Sequence, residues 1–275
     1  MHRGALIVLA LTACGPTLRD NPATDGASQP EAGADTPVLD TSLIYAHSGG
    51  MLYRIDANNF AEVPIGPMTG LGTQSLTDLA IDKDDHMVGI TLDKLYQIDP
   101  ASGAVTLIRD LSQDARGFTS LSYIPQNLDD PNSADILVSA NDQGDVFEID
   151  PATGSATKVG SYGTVALGQV RSSGDLFGVR GVGICATVDV GTETTDYLAK
   201  IDPTTWKATP LGTGTGFSKI FGLGFWGGTI YGFVDAGTGG GKVIKIDSAS
   251  GAGTLIDAND VRWFGAGVAT DAPIF

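Results

Sequence analysis

Basic residues are scarce in this chain: 16 Lys and Arg stand against 32 Asp and Glu, a net charge of −16. A nucleic-acid binder needs a basic footprint to meet phosphates, so no nucleic-acid partner is expected, and anionic surfaces repel the chain. Histidine is nearly missing, with only His2, His47 and His86, which leaves a nucleophile few bases to work beside. Cysteine occurs twice, as Cys14 and Cys185. Cys185 lies between Ile184 and Ala186 in a β-type run, the setting of a buried, inert thiol. The apolar run Ala5 to Leu11 is too short to cross a bilayer, and no other stretch could span one. A long helical period is absent too, which removes the all-α architectures.

What the chain does have is a repeated phrase. Tyr96-Gln97-Ile98-Asp99-Pro100-Ala101-Ser102-Gly103 returns as Phe147-Glu148-Ile149-Asp150-Pro151-Ala152-Thr153-Gly154 and as Lys245-Ile246-Asp247-Ser248-Ala249-Ser250-Gly251, with shorter copies ending at Asp56 and at Asp202-Pro203. Each copy opens with alternating apolar and polar residues, a half-buried strand. Asp starts a turn because its carboxylate accepts from a backbone N–H two residues on, and Pro pre-sets φ for it. Gly103, Gly154 and Gly251 supply the left-handed residue that closes a short hairpin. Phe60 and Trp206 stand where that glycine belongs, so those two hairpins need another turn or a strained residue.

The aspartates recur at intervals of 43, 51, 52 and 45 residues, the period of propeller blades with about four strands each. A second repeat, rich in small residues, supplies an innermost strand per blade: Thr77–Ile81, Thr119–Tyr123, Val165–Gln169, Phe221–Phe225 and Phe264–Val268. The fifth run follows the last hairpin and none precedes the first. This displacement predicts an all-β, five-bladed β-propeller over residues 41–275, closed by pairing the C-terminal strand with three N-terminal strands in one blade, so that no sheet edge is left open. The Leu-Tyr-x-Ile-Asp-Pro-x-[Ser/Thr]-Gly phrase resembles bacterial propellers of the YVTN or quinoprotein-like superfamily, a group that mixes enzymes, binders and scaffolds.

The N-terminus reads differently. Met1-His2-Arg3 is basic, and Leu11-Thr12-Ala13-Cys14 follows the apolar run. This resembles a bacterial lipoprotein signal, which implies removal of residues 1–13, a diacylglycerol on Cys14 and anchorage in the cell envelope. Gly15 after the cysteine implies the outer membrane by the same resemblance. With Cys14 lipidated, Cys185 is left alone and no intramolecular disulfide forms. Residues 14–40 hold little aliphatic and no aromatic content, a disordered tether with a reach of roughly 30 Å.

In the aligned inner strands one face carries Asp78, Ser120, Ala166, Gly222 and Gly265, the small residues that let five sheets converge. The other carries Leu79, Leu121, Leu167, Leu223 and Ala266 for packing between blades. Asp78 is the single carboxylate of these columns, whereas glycosidases need two or three converging ones. No catalytic residue is assigned. Ligand-binding candidates are Asp78 with Trp226 and Trp263, the tryptophans serving either as stacking platforms or as packing between blades. Asp129, Asp130 and Asp135, in a loop of blade three, could hold calcium through oxygen ligands or form a plain surface loop; no other cofactor is implied. Arg180–Asp196 reads as an insertion in blade four between its second and third strands. The resulting expectation is a monomeric, lipid-anchored, non-catalytic binding or interaction module for a protein or glycan partner. Its alternative is a polysaccharide- or lactone-acting hydrolase or lyase with its site at the propeller mouth.

Overall fold

A computed structural model describes residues 44–57, 59–111 and 117–275. The signal, lipidation and tether expected over residues 1–40 lie outside the described residues. The described chain folds into five small antiparallel sheets arranged as a ring, a five-bladed β-propeller. From inside outward, blade two runs Asp78–Ile81, Met87–Ile90, Lys94–Ile98 and Val105–Asp110, and blade three Ser122–Pro125, Asp135–Ala140, Asp145–Ile149 and Ala156–Ser161. Blade five runs Ile220–Trp226, Thr229–Asp235, Gly241–Ile246 and Gly253–Asn259. Blade one is mixed, as its displaced repeat requires: Gly265–Gly267 pairs with Ile44–His47, followed by Met51–Ile55 and Glu62–Pro67. In that closure His47 stands opposite Gly265 and Tyr45 opposite Gly267. Among the described residues no helix is long and apolar enough to cross a membrane.

The repeated phrase makes the turn its residues call for. The Asp carboxylate accepts from the N–H two residues on, at 3.0 Å in Asp99, 2.8 Å in Asp150, 2.9 Å in Asp202 and 3.1 Å in Asp247. The fifth residue donates back to the Asp carbonyl and takes positive φ: Gly103 at 77°, Gly154 at 69° and Gly251 at 74°. Phe60 (59°) and Trp206 (61°) adopt the same left-handed conformation, at a cost of about 1–2 kcal/mol for a residue with a Cβ. Their rings supply the offset. Trp206 is buried against Gly160 of the preceding blade, where an added Cβ would stand only 2.7 Å from the indole. Phe60 packs on Tyr231 of blade five, with ring centroids 5.3 Å apart. At these two junctions an aromatic side chain seals one blade to the next.

Blade four departs from expectation. Its inner strand is Gly168–Val179, followed by Gly183–Val190, Tyr197–Ile201 and Ala208–Pro210, with the short Thr164–Val165 at the edge. The axial stretch is Gly174-Asp175-Leu176-Phe177, not Val165–Gln169, and Leu167 is 57% exposed rather than packed between blades. The reason is steric. At Gly174 the strand passes so close to blade five that an added Cβ would lie 2.2 Å from the Ile220 carbonyl oxygen. Gly168, Ala166 and Leu167 instead form a hairpin that lengthens this strand ahead of the axis. The expected insertion at Arg180–Asp196 is likewise a tight turn, a regular strand and the loop 191–196.

Candidate functional site

With blade four corrected, the axial column reads Asp78, Ser120, Asp175, Gly222 and Gly265, and it holds two carboxyls rather than one. Both are fully buried. Asp78 accepts from its own blade through Leu79 N (2.8 Å) and from blade three through Leu121 N (2.7 Å). Asp175 repeats the arrangement, from Leu176 N and from Leu223 N of blade five, each at 2.5 Å. Each carboxyl therefore staples its blade to the next by satisfying buried N–H groups that no strand partner reaches. The two carboxyls also act on each other electrostatically. Burial pushes both well above the ordinary carboxylate range, and at Asp78 the neighbouring Asp175 adds to the effect. Two carboxyls in contact at low dielectric hold a proton between them.

The glycines of the column make room for this pair. A Cβ on Gly265 would stand 2.5 Å from both Asp78 Oδ1 and His47 Nε2. His47 is fully buried, with Nδ1 2.9 Å from the Ser48 carbonyl, so Nδ1 carries the hydrogen and donates. Its Nε2 has no partner. Burial drives the imidazole down to about 4, which keeps it neutral.

Directly above this floor opens a cavity of ≈ 460 Å³ at the end where the inner strands begin. Its wall comes largely from the residue just ahead of the axial column: Thr77, Thr119, Phe221 and Phe264. Leu76, Leu92 and Ser173 fill the gaps. Phe221 and Phe264 lie parallel to within 8°, centroids 6.4 Å apart. The Arg262 guanidinium sits 5.4 Å from the Phe264 ring centre and is itself clamped by two hydrogen bonds to Asp235, at 2.8 and 2.7 Å. The opposite end of the axis is covered. The C-terminal segment leaves blade one and bonds to Arg180 of blade four, where Arg180 N donates to Thr270 O, and to Gly227 of blade five, where Gly227 N donates to Pro273 O. Thr270 also donates to Asp135 of blade three at 2.8 Å. A chain with those contacts crosses the axis, so the channel is blind.

The expected site residues are scattered. Asp78 lies beneath the mouth with no exposure of its own. Trp263 is fully buried between Tyr53 and Phe233, in edge contacts of 5.4 and 5.6 Å, and has no free face on which a sugar could stack. Trp226 ends its inner strand at the covered end of the axis. Asp129 and Asp130 are exposed on their loop, while Asp135 is half of a buried ion pair with Arg180 at 2.6 Å. Among the described residues no three His, Cys, Asp or Glu side chains converge in a way that could hold a metal ion. Cys185 is free and buried, its thiol pushed up to about 11 by desolvation. Sequence reasoning missed Asp175 and the mouth column. The signal for the first was Gly174-Asp175-Leu176 standing in for Thr77-Asp78-Leu79. For the second it was the position immediately before each axial residue.

No family model matches the chain, and no curated protein matches it. Among solved structures it is similar to a protein of unknown function from Bacteroides caccae, at 11% identity and a TM-score of 0.41 over 79% of this chain and 73% of that one. It is also similar to the computationally designed Ika4 protein, at 17% identity and a TM-score of 0.36 over 66% of this chain and 98% of that one. Neither likeness bears on function.

Proposed function

We propose that the protein is a non-catalytic binding or interaction module, held in the bacterial envelope by a lipid on Cys14 and presenting its open mouth to a protein or glycan partner. The propeller fold supports the binding role. The observation that carries it is the division of labour along the axis. Both axial carboxyls are occupied by backbone N–H groups and closed to solvent, while the exposed cavity above them is aromatic, aliphatic and hydroxylic. A second reading, a polysaccharide- or lactone-acting hydrolase or lyase, draws on the proton-sharing pair Asp78 and Asp175. An acid or base must reach its substrate, however, and neither carboxyl does.

A glycan array and envelope crosslinking with residues 41–275 test the binding role; retention of no partner in both would end it. Turnover of a glycan or lactone that disappears in Asp175→Asn would establish the enzyme instead. The anchor has its own test. Cys14→Ser should release the protein from the membrane fraction, and a variant that stays membrane-bound excludes lipidation at this site as the tether.

A further inference from the structure

Resting on that binding reading, the geometry points to a narrower ligand: the mouth takes an uncharged aromatic ring, not a sugar and not an ion. Charge makes the first case. Every described residue that walls the cavity is uncharged, and the Arg262 guanidinium beside Phe264 is already engaged by Asp235 through two hydrogen bonds. A net charge of −16 disfavours anions. A cation would need a carboxylate to meet it; those of the floor are buried and bound to backbone, and Asp93, beside the rim residue Leu92, is paired with Lys94 at 3.3 Å.

Hydrogen bonding makes the second. A sugar presents a hydroxyl on nearly every carbon and needs matching groups from its site. Here Thr77 already donates to the Ile90 carbonyl at 3.1 Å and Thr119 to the Ala140 carbonyl at 3.5 Å. Ser75 is the exposed hydroxyl left to meet one polar edge, since Ser173 Oγ is buried. A ligand rich in hydroxyls would lose its water without replacement, which is costly.

Shape makes the third. The parallel rings of Phe221 and Phe264 give the wall aromatic surface against which another ring packs by offset or edge contact. Leu92 stands 54% exposed at the rim, apolar surface that such a ligand would cover. The cavity volume of ≈ 460 Å³ lies within the range of about 300–1,000 Å³ typical of small-molecule pockets.

Calorimetric titration of the full chain with indole, benzoate, benzylammonium and methyl β-glucopyranoside tests this. Indole should bind at least ten times more tightly than the other three. Phe221→Ala and Phe264→Ala should each weaken it about tenfold or more, and Phe221→Leu, which keeps an apolar side chain and removes the ring, should weaken it with Tm little changed. Equal or tighter binding of the glucoside or either ion, or indole binding indifferent to all three variants, overturns the inference. Those outcomes are separate from failure of the binding role itself, which an empty array and empty crosslinking would signal whatever indole does.

Discussion

Asp78 and Asp175 at the axis, and Asp99, Asp150, Asp202 and Asp247 on the hairpin turns, meet the same need in two different media. Each aspartate accepts hydrogen bonds from backbone N–H groups that have no strand partner. On the turns water keeps the carboxylate ionised, and local donors hold it below its ordinary range: the Ser102, Thr153 and Ser250 hydroxyls for Asp99, Asp150 and Asp247, the Thr205 N–H for Asp202. At the axis burial dominates, both groups move up, and a proton takes the place of solvent. The comparison teaches that a side chain's role follows from its dielectric surroundings more than from its bonding pattern. A turn aspartate orders one hairpin; an axial aspartate joins two blades.

The sharpest break of that comparison is Asp175→Ala. It leaves Leu176 N and Leu223 N buried and unpaired, each at a cost of about 1–3 kcal/mol, and urea denaturation should show a loss of that combined size. A loss no greater than that of a turn variant would mean the axial carboxyls do not join the blades.

Next in size is a pH effect in which the axial groups pull in opposite directions. The folded carboxyl pair keeps a proton that the unfolded chain releases, so its contribution is complete below the ordinary pKa of 3.8 and is lost as pH rises through the pair's raised value. His47 is lowered from 6.5 to about 4, so its contribution is present above pH 6.5 and is lost as pH falls toward 4, a change of roughly 3 kcal/mol. Denaturation measured from pH 7 down to 4 should show His47→Gln gaining stability relative to the wild type as pH falls, because the carboxyl pair acts in both and only the wild type loses the histidine's contribution. Identical profiles would show that His47 titrates normally in the fold.

The smallest effect belongs to the turns. Asp247→Ala removes acceptors for the Ala249 and Ser250 N–H groups, which water replaces. Its fall in Tm should be well below that of Asp175→Ala and independent of pH above the carboxylate range. A loss matching the axial variant would erase the distinction between the two sets.

Much of the fold was legible because its determinants are local. The Asp–turn–Gly phrase states its own geometry, down to the strained Phe60 and Trp206, and its spacing counts the blades. The displaced fifth inner run announced a mixed blade. Legibility failed where contacts from other blades choose the register. Nothing within Val165–Gln169 says it is not an inner strand; Gly174 is required by the backbone of blade five at Ile220, a whole blade further along the chain. The site was legible only in part for the same reason. Trp263 reads as a mouth residue from its position in the repeat, yet Tyr53 and Phe233 from two other strands enclose it.

By itself, then, the sequence determined the strand and turn pattern, the number of blades and the way the ring closes, because these depend on residues near one another and on a period. Tertiary structure alone decided that two aspartates share the axis, that His47 joins them, that the C-terminal segment covers one end, and that Phe221 and Phe264 face the other. Those features depend on which side chains meet when five sheets converge, and on a loss of water that no single segment experiences alone.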